Sequence, residues 1–290
     1  MRVGICLPIG ERGPERVAKS YREMRDMAVA ADRNGADSIW VADHLFYEPP
    51  DEPKVGIWEA MTMLAALADA TERAELGPLV MCTPFRNPGL IAWMANTLDE
   101  ISGGRFVMGL GAGWHQPEFD AFRFNFDRRV SVFADSLEVL VPLLREGRVD
   151  FDGEFAGGHA ELRPRGPRTS GPPILIAGTK PRMMALTARW ADRWNSVWYG
   201  MPTDEFRKER GDLEAACAAI GRDPATIEVS AGLAVMETEK PDEGLGGSVS
   251  EIAAGLEAWQ EEGVTEVMCR MDPPSVGLVE RIMEAAQQVR

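Results

Sequence analysis

The sequence contains few cysteines and no paired cysteine motif. Four cysteines occur among 290 residues, and each of them stands alone. Structural zinc sites and thioredoxin-like redox motifs use closely spaced cysteine pairs, so this pattern disfavours both classes of site. Three of the four lie in apolar runs, where a free thiol behaves as a small core residue.

Long apolar runs and an excess of basic charge are also missing. No apolar stretch approaches the about 18–20 residues that cross a membrane, and the first run, 3–7, is too short for a signal peptide. The 31 basic side chains are outnumbered by 46 acidic ones, giving a formal charge of −15. Contacts with nucleic-acid phosphates need a basic surface, so this acidic charge disfavours nucleic-acid binding. We expect a soluble, cytoplasmic protein with a small-molecule substrate and neither a nucleic-acid nor a membrane partner.

Along the chain, short runs rich in β-branched residues alternate with longer stretches that show a helical pattern. Hydrophobic residues make up 45% of the chain, enough for a large core. Strands are predicted at 3–7, 38–42, 75–82, 105–110, 174–177, 195–198, 227–233 and 264–270. Eight strand–helix units in one chain favour an α/β fold of the (β/α)8 TIM-barrel type, with an open doubly wound sheet as the alternative. We expect a single domain over residues 1–290.

The sequence also contains signals for helix starts and two stretches that do not fit the strand–helix repeat. The first helix is predicted over 17–34, Asn87-Pro88 is typical of an N-cap and first helical position, and Ser248-x-x-Glu251 is a capping box. Residues 112–129 are predicted as an extra loop after the fourth strand. Residues 147–173 are predicted as an insertion between the fourth helix and the fifth strand, with Phe151, Phe155 and Leu162 as possible short-strand residues. Extra segments of this kind are commonly lids or substrate loops.

Histidine is rare, and one histidine directly follows a predicted barrel strand. The active site of a TIM barrel lies at the carboxyl ends of its strands, and Asp43-His44 ends the second strand. Histidine exchanges protons near neutral pH, so His44 is a candidate acid or base. The alternative is a structural histidine at a strand end. His115, in the loop after strand four, is a weaker candidate, and His159 is predicted to lie at the surface.

Glycines follow two other strands. Gly109-x-Gly111-x-Gly113 is only part of a dinucleotide fingerprint, and we interpret it as backbone that a flat ring or a tail can approach closely. Gly178-Thr179 precedes a helix that begins with proline. Free N–H groups at a helix N-terminus favour an anion, so this turn is a candidate phosphate site, with an ordinary strand–helix turn as the alternative.

Basic and aromatic side chains also occur near these strand ends. Arg86, Lys180 and Arg182 could form a local positive patch in an otherwise acidic protein. Aromatic side chains could line a pocket for a flat ring; the candidates are Trp40, Trp58, Phe85, Trp114 and Trp198. No spacing of acidic residues, histidines or cysteines predicts a metal site.

Several ordered motifs resemble the luciferase-like monooxygenase family. They are Trp40-Val41-Ala42-Asp43-His44, Thr83-Pro84-Phe85-Arg86-Asn87-Pro88, Leu98-Asp99-x-x-Ser102-Gly103-Gly104-Arg105, Gly109-Leu110-Gly111-Ala112-Gly113-Trp114, Pro172-Pro173-Ile174-Leu175-Ile176-Ala177-Gly178 and Ala191-Asp192-x-Trp194-Asn195. The resemblance implies a TIM barrel and a flavin (FMN) or deazaflavin (coenzyme F420) cofactor. The compact length is more similar to the coenzyme F420 branch. Members similar to this chain are often dimers, so a homodimer is a further expectation.

The resemblance also implies roles for individual positions. His44 matches the residue that donates or accepts a proton beside the ring. Residues 79–83 match a backbone bulge, often with a non-prolyl cis peptide, that supports the ring from behind. The positions implied to bind the cofactor are Asp43, Leu79, Val80, Thr83, Gly111, Gly113, Ala177, Gly178 and Thr179.

One departure from the family pattern concerns the substrate. The sugar-phosphate dehydrogenases of the family carry a glutamate after the strand-four glycines, where this chain has Trp114. We therefore expect a more apolar or aromatic substrate, in a pocket formed by Trp114, His115 and Trp198. The resulting hypothesis is a coenzyme F420-dependent oxidoreductase that acts on a small organic substrate. The alternatives are an FMN-dependent monooxygenase or reductase, and a non-catalytic flavin-binding barrel.

Overall fold

The central feature of the protein is a barrel of parallel strands. The computed structural model describes residues 1–12, 15–50, 53–237 and 244–290. The barrel strands are β1 (Arg2–Leu7), β2 (Ser38–Val41), β3 (Glu75–Pro78 and Met81–Cys82), β4 (Met108–Gly111), β5 (Ile174–Ala177), β6 (Arg193–Tyr199), β7 (Glu228–Met236) and β8 (Glu266–Asp272).

The sheet closes on itself through the divided strand β3. Every neighbouring pair is parallel, in the order β3, β2, β1, β8, β7, β6, β5, β4, and β4 then pairs with the second half of β3. The two ends of the sheet therefore belong to one strand, and Leu79-Val80 joins them. This confirms the predicted TIM barrel over the open sheet.

Helices connect the strands and cover the outside of the barrel. They are α1 (Tyr21–Arg33), α2 (Ala60–Ala70), α3 (Pro88–Ile101), α4 (Gln116–Phe122), α5 (Arg129–Glu146), α6 (Pro181–Trp190), α7 (Asp204–Ala219), α8 (Val249–Glu261) and α9 (Val276–Val289). Asn87 caps α3 through its side chain, and Ser248 and Glu251 form the predicted capping box of α8. Among the described helices, none has the length and apolarity that a membrane crossing requires.

The barrel interior has its own small core, separate from the larger core between strands and helices. It consists of Cys6, Trp40, Val107, Leu175 and Met268, with Leu79 and Val80 packed against it. Trp40 is fully buried and donates its indole N–H to Ser38 Oγ at 2.7 Å. The interpretation of Trp40 as a pocket aromatic was therefore wrong, because its ring fills the barrel.

An ionic cluster closes the amino-terminal end of the barrel. Arg193 donates to both carboxylate oxygens of Glu75 at 2.7 and 2.9 Å, and Arg2 donates to the same carboxylate at 3.0 Å. Glu266 is fully buried, accepts from Arg2 and Ser38, and has its pKa raised by burial. This cluster fills the amino-terminal end with ion pairs, and the active site of a TIM barrel is expected at the carboxyl end.

The structure differs from the sequence prediction in three connecting segments. Residues 17–18 pair with residues 11–12 as a small hairpin, so the first helix begins at Tyr21 rather than Val17. The predicted loop 112–129 contains α4. The insertion 147–173 contains an antiparallel hairpin of strands Arg148–Asp152 and Gly157–Glu161, and of the three possible short-strand residues only Phe151 lies in one of its strands. The two-residue strands and the seven-residue α4 are too short for a hydrophobic period to stand out, and the strands of the insertion are mostly polar.

Candidate active site

Two loops meet at the carboxyl end of the barrel and form one wall of the candidate site. The first loop follows β2 and contains His44, and the second follows β4 and leads into α4. Glu118 of α4 is buried, with 1% of its surface exposed. Its Oε1 accepts the backbone N–H groups of Leu45 and Phe46 at 2.5 and 3.3 Å. A carboxylate from one loop therefore fixes the backbone of the other.

The same carboxylate holds the imidazole of His44. Nδ1 of His44 lies 2.8 Å from Oε2 of Glu118. Carboxylate oxygens act as hydrogen-bond acceptors, and Glu118 also accepts from two backbone N–H groups, so Nδ1 of His44 is assigned as the donor of this bond. Within the described part of the chain, His44 Nε2 has no hydrogen-bond partner. This arrangement leaves Nε2 available to exchange a proton with a ligand.

Aromatic rings surround His44 on the loop side. Trp114 contacts the His44 ring edge-on at a centroid distance of 5.7 Å, and 62% of Trp114 is exposed. His115 is buried, with its ring 5.0 Å from that of Tyr47, and its Nε2 accepts the backbone N–H of Glu48 at 3.0 Å. His115 thus joins the two loops, whereas Trp114 presents an open aromatic surface beside His44.

The buried position of His115 predicts a dependence of stability on pH. Burial lowers the pKa of His115 below its usual value. As the pH falls below about 6.5, the unfolded chain takes up a proton that the folded chain does not bind, so stability falls with pH. Between about pH 7.5 and about pH 5.5, the wild type should lose more unfolding free energy than His115→Gln, by at most about 1.4 kcal/mol per pH unit.

Urea unfolding of both proteins at the two pH values measures this difference. Glutamine is a suitable replacement, because its amide oxygen can still accept from Glu48 while the group does not titrate. Equal losses of stability in the two proteins would show that His115 makes no contribution to the acid sensitivity.

Asp43, the neighbour of His44, is engaged within the protein. Its carboxylate accepts hydrogen bonds from both terminal nitrogens of Arg86, at 2.7 and 2.8 Å. It also accepts one from the backbone N–H of Cys82, at 2.9 Å. Arg86 donates further to Glu59 at 2.8 Å. The side chains of Asp43 and Arg86 are 1% and 12% exposed. Asp43 therefore anchors the end of β3, and the charge of Arg86 is balanced by two carboxylates.

We predict that Asp43→Ala lowers the free energy of unfolding by about 3–5 kcal/mol, because it leaves a buried arginine with one partner fewer. Asp150→Ala is a matched control, since the Asp150 side chain is 92% exposed and pairs only at the surface. Surface pairs contribute about 0–1 kcal/mol. Thermal or urea unfolding measures both variants, and a loss for Asp43→Ala no larger than for the control would contradict this account.

The floor of the site is the link between the halves of β3. The Leu79-Val80 peptide is cis, in the segment for which the resemblance implied such a bond. Both side chains are partly buried and rest on the barrel-interior core. Thr83, after this segment, is fully buried, and its Oγ1 has no partner within the described residues.

The glycines of β4 lie directly against this floor. A Cβ at Gly109 would lie 2.0 Å from the Pro78 carbonyl oxygen, and one at Gly111 would lie 2.7 Å from Val80 Cγ2. A Cβ at Gly113 would lie 2.5 Å from Cys82 Sγ. Packing against β3 thus accounts for the lack of side chains at these positions, and their being glycine does not by itself indicate a ligand.

A second wall begins at the end of β5. Residues 177–179 are partly exposed, and Gly178 has φ +144°, which favours glycine. Helix α6 follows with Lys180 at its N-cap, and no side chain caps its first turn. Lys180 is exposed, and Arg182 donates to Ser131 at 3.0 Å. The uncapped amides and the helix dipole make this turn suitable for an anion.

The sequence of this barrel matches a known protein family. The sequence matches the luciferase-like monooxygenase family over residues 1–245. The chain belongs to this family. The match covers β1 to β7 and includes both loops that carry the His44–Glu118 pair.

The chain shares about 30% sequence identity with individual members of the family. Pyrimidine monooxygenase RutA of Methylorubrum extorquens is 31% identical over 242 residues, which cover 77% of this chain and 62% of that protein. A phthiodiolone/phenolphthiodiolone dimycocerosates ketoreductase of Mycobacterium tuberculosis is 28% identical over 269 residues, covering 84% of this chain and 70% of the ketoreductase. The chain thus spans less than two thirds of the length of the monooxygenase.

A solved structure supports the fold over the whole chain. An F420-dependent secondary alcohol dehydrogenase, in complex with an F420-acetone adduct, superimposes with a TM-score of 0.83 at 18% identity. The match covers 100% of this chain and 99% of the dehydrogenase. At this level of identity, the likeness concerns the barrel architecture.

Sequence reasoning did not identify Glu118 as a site residue. It lies 74 positions from His44, and neither residue has a motif that links it to the other. The available signal was Gln116-Pro117-Glu118, in which proline and glutamate are typical of a first helical turn. That signal predicts a helix start, but it does not predict which group the glutamate contacts.

Proposed function

We propose that the protein is an oxidoreductase that uses coenzyme F420 and acts on a small alcohol or carbonyl compound. The observation that carries this proposal is the His44–Glu118 pair at the carboxyl end of the barrel, with Nδ1 held at 2.8 Å and Nε2 without a hydrogen-bond partner among the described residues. A base oriented by a carboxylate is the arrangement that moves protons in acid–base catalysis. Membership of an oxidoreductase family supports the same reaction class.

The chain's own residues would supply the proton transfer. When an alcohol is oxidised, its O–H proton passes to His44 Nε2 while the carbonyl double bond forms. When a carbonyl compound is reduced, the proton returns from Nε2 to the oxygen. Glu118 stabilises the imidazolium that exists between these steps, and the exposed Trp114 ring offers an apolar surface for the substrate.

Two features of the mouth support a deazaflavin with a phosphate-bearing tail as the cofactor. Once bound, the deazaflavin supplies a hydride acceptor or donor. The orphaned Thr83 Oγ1 and the uncapped first turn of α6 are polar groups without protein partners among the described residues. Residues Leu79 and Val80 would support the ring, and Ala177, Gly178 and Thr179 with Lys180 would hold the phosphate side. Asp43 would act indirectly, through the end of β3.

FMN is the second candidate cofactor, because the relative RutA is described as a monooxygenase. The same uncapped helix could hold the phosphate of FMN. The two cofactors differ in their tails, since the tail of coenzyme F420 carries several carboxylates. Of the three basic residues considered for its recognition, Arg86 is engaged by Asp43 and Glu59, and Lys180 and Arg182 remain exposed at the start of α6.

Titration of the purified protein with coenzyme F420 and with FMN tests the proposal. Binding is followed by the fluorescence of each cofactor, and turnover is then assayed with a panel of alcohols, aldehydes and ketones. We expect tighter binding of the deazaflavin, and turnover with at least one member of the panel. Preferential binding of FMN would support the second candidate, and binding of neither would exclude both in favour of a non-catalytic barrel.

A further inference from the structure

Arg270 occupies a position at the barrel mouth that the proton-transfer machinery does not use. Met268 belongs to the barrel-interior core, and side chains two residues apart on a strand point to the same face. Arg270 therefore faces the barrel interior two residues beyond Met268, near the carboxyl end of β8. Its neighbours in register are Cys6 on β1 and Ala234 on β7.

Among the residues that the structure describes, none is an anionic partner of the Arg270 guanidinium. Its Nε is buried and has no acceptor, and no carboxylate of the described residues lies within ion-pair distance of it. The guanidinium lies over the Trp198 ring, 5.2 Å from the centroid. By contrast, Arg86, Arg168 and Arg193 are each paired with a carboxylate. A buried donor on a charged group is costly when it is unmatched.

The charges around Arg270 do not neutralise it. Arg12, from the segment after β1, lies 3.7 Å from Asp272 and is close enough to Arg270 for the two cations to repel each other. Cys6 has its pKa raised well above the usual value by burial and is a neutral thiol. Glu266 belongs to the cluster at the opposite end. Two cations and one carboxylate therefore share this part of the mouth, in a protein of net charge −15.

We propose that Arg270, whose guanidinium lies over the Trp198 ring, binds a carboxylate group of the substrate. A guanidinium presents N–H donors in a planar fork that matches a carboxylate, and the contact with the Trp198 ring restricts where this guanidinium can lie. Trp198 is 39% exposed, so its ring can also contact an apolar part of the same ligand. This inference rests on the proposed function, because it assigns the substrate class for the same barrel mouth.

The position of Arg270 favours the substrate over the cofactor phosphate. Strand β8 is separated from β2, which leads to His44, by β1 alone, so two strand spacings amount to about 10 Å along the sheet. Strand β5, which leads to the uncapped helix α6, is three spacings away, or about 14 Å. A small carboxylic acid can therefore reach from Arg270 toward His44 while an anion occupies the start of α6.

Binding of benzoate and of its neutral analogue benzamide tests the proposal. Both are titrated calorimetrically into the full-length wild type, Arg270→Met, Arg270→Lys and the control Arg25→Met, with and without saturating cofactor. Arg25 is a suitable control because it is an exposed arginine of α1. We expect benzoate affinity to fall by about tenfold or more in Arg270→Met, and less in Arg270→Lys, since lysine keeps the charge but loses the fork. Benzamide should bind all four proteins equally weakly.

Three outcomes would overturn the proposal. In the first, benzoate does not bind the wild type. In the second, benzoate binds Arg270→Met as tightly as it binds the wild type. In the third, benzoate competes with the cofactor, and Arg270→Met also loses affinity for the cofactor. The last outcome would assign Arg270 to the cofactor. If neither cofactor binds the wild type, the proposed function fails, while the benzoate comparison still decides whether Arg270 binds a carboxylate. Arg270→Lys keeps the comparison informative if Arg270→Met does not fold.

Discussion

Replacing His44 by alanine is expected to reduce turnover by about 10²–10⁴-fold, the usual contribution of a positioned acid or base. The reason is that Nε2 of His44 is the candidate proton-exchanging atom at the mouth, while its Nδ1 is committed to Glu118 at 2.8 Å. Cofactor affinity should change little, because the groups proposed to hold the cofactor lie on β3 and at the start of α6. The measurements are kcat with the best substrate of the panel and the Kd of the cofactor.

A second substitution separates proton transfer from a structural contribution. His44→Gln keeps a donor for Glu118, so the two loops can remain joined, but glutamine cannot take up a proton near neutral pH. We expect His44→Gln to lose as much turnover as His44→Ala while keeping more of its stability. His159→Ala is the control, because that histidine is 58% exposed and contacts only Asp150 and Asp152. Wild-type turnover in His44→Gln would remove His44 from the mechanism.

The barrel could be predicted from the sequence because its strands and helices are long enough to show their periods. Strand β5 and helix α9 have the predicted bounds, 174–177 and 276–289. Local capping signals at Asn87 and Ser248 also predicted where two helices begin. These features depend on residues a few positions apart, which is the range that a single sequence reveals.

The division of β3 and the contacts of the site could not be derived from periodicity. A continuous strand over 75–82 has the same apolar pattern as two short segments, and only the family resemblance implied a bulge there. The pairing of Asp43 with Arg86 and of His44 with Glu118 depends on where the strand ends converge in space. Arg270 was overlooked because an arginine at the end of a strand is ordinarily solvated, and only the structure shows its Nε buried without an acceptor.

The contact between Glu118 and His44 leads to a prediction about the tautomer of the histidine. In the wild type, Glu118 accepts from Nδ1–H, so neutral His44 has an unprotonated Nε2 that can act as a base. In Glu118→Gln, the amide oxygen is required by the backbone N–H of Leu45, which donates to Oε1 at 2.5 Å. The amide NH2 then faces Nδ1 and donates to it. That arrangement selects the tautomer with the proton on Nε2, which cannot accept another from the substrate.

We therefore expect Glu118→Gln to lower kcat by about 10²–10⁴-fold, since a wrong histidine tautomer costs about 10⁴ in the Ser-His-Asp triad. KM and cofactor affinity should remain close to those of the wild type. Glu118→Ala should be less stable, because the N–H groups of Leu45 and Phe46 lose their acceptor. It should nevertheless retain more turnover than Glu118→Gln, because nothing then forces the proton onto Nε2.

This opposite order of stability and activity distinguishes a positioning role for Glu118 from a structural one. If Glu118 only held the loops together, the more stable glutamine variant would also be the more active one. Unfolding curves and kcat for the two variants decide between these possibilities. Glu214→Gln is a suitable control, because this glutamate is 56% exposed and makes only a 3.9 Å surface pair with Arg210. Turnover of Glu118→Gln equal to or above that of Glu118→Ala would show that the carboxylate does not set the tautomer of His44.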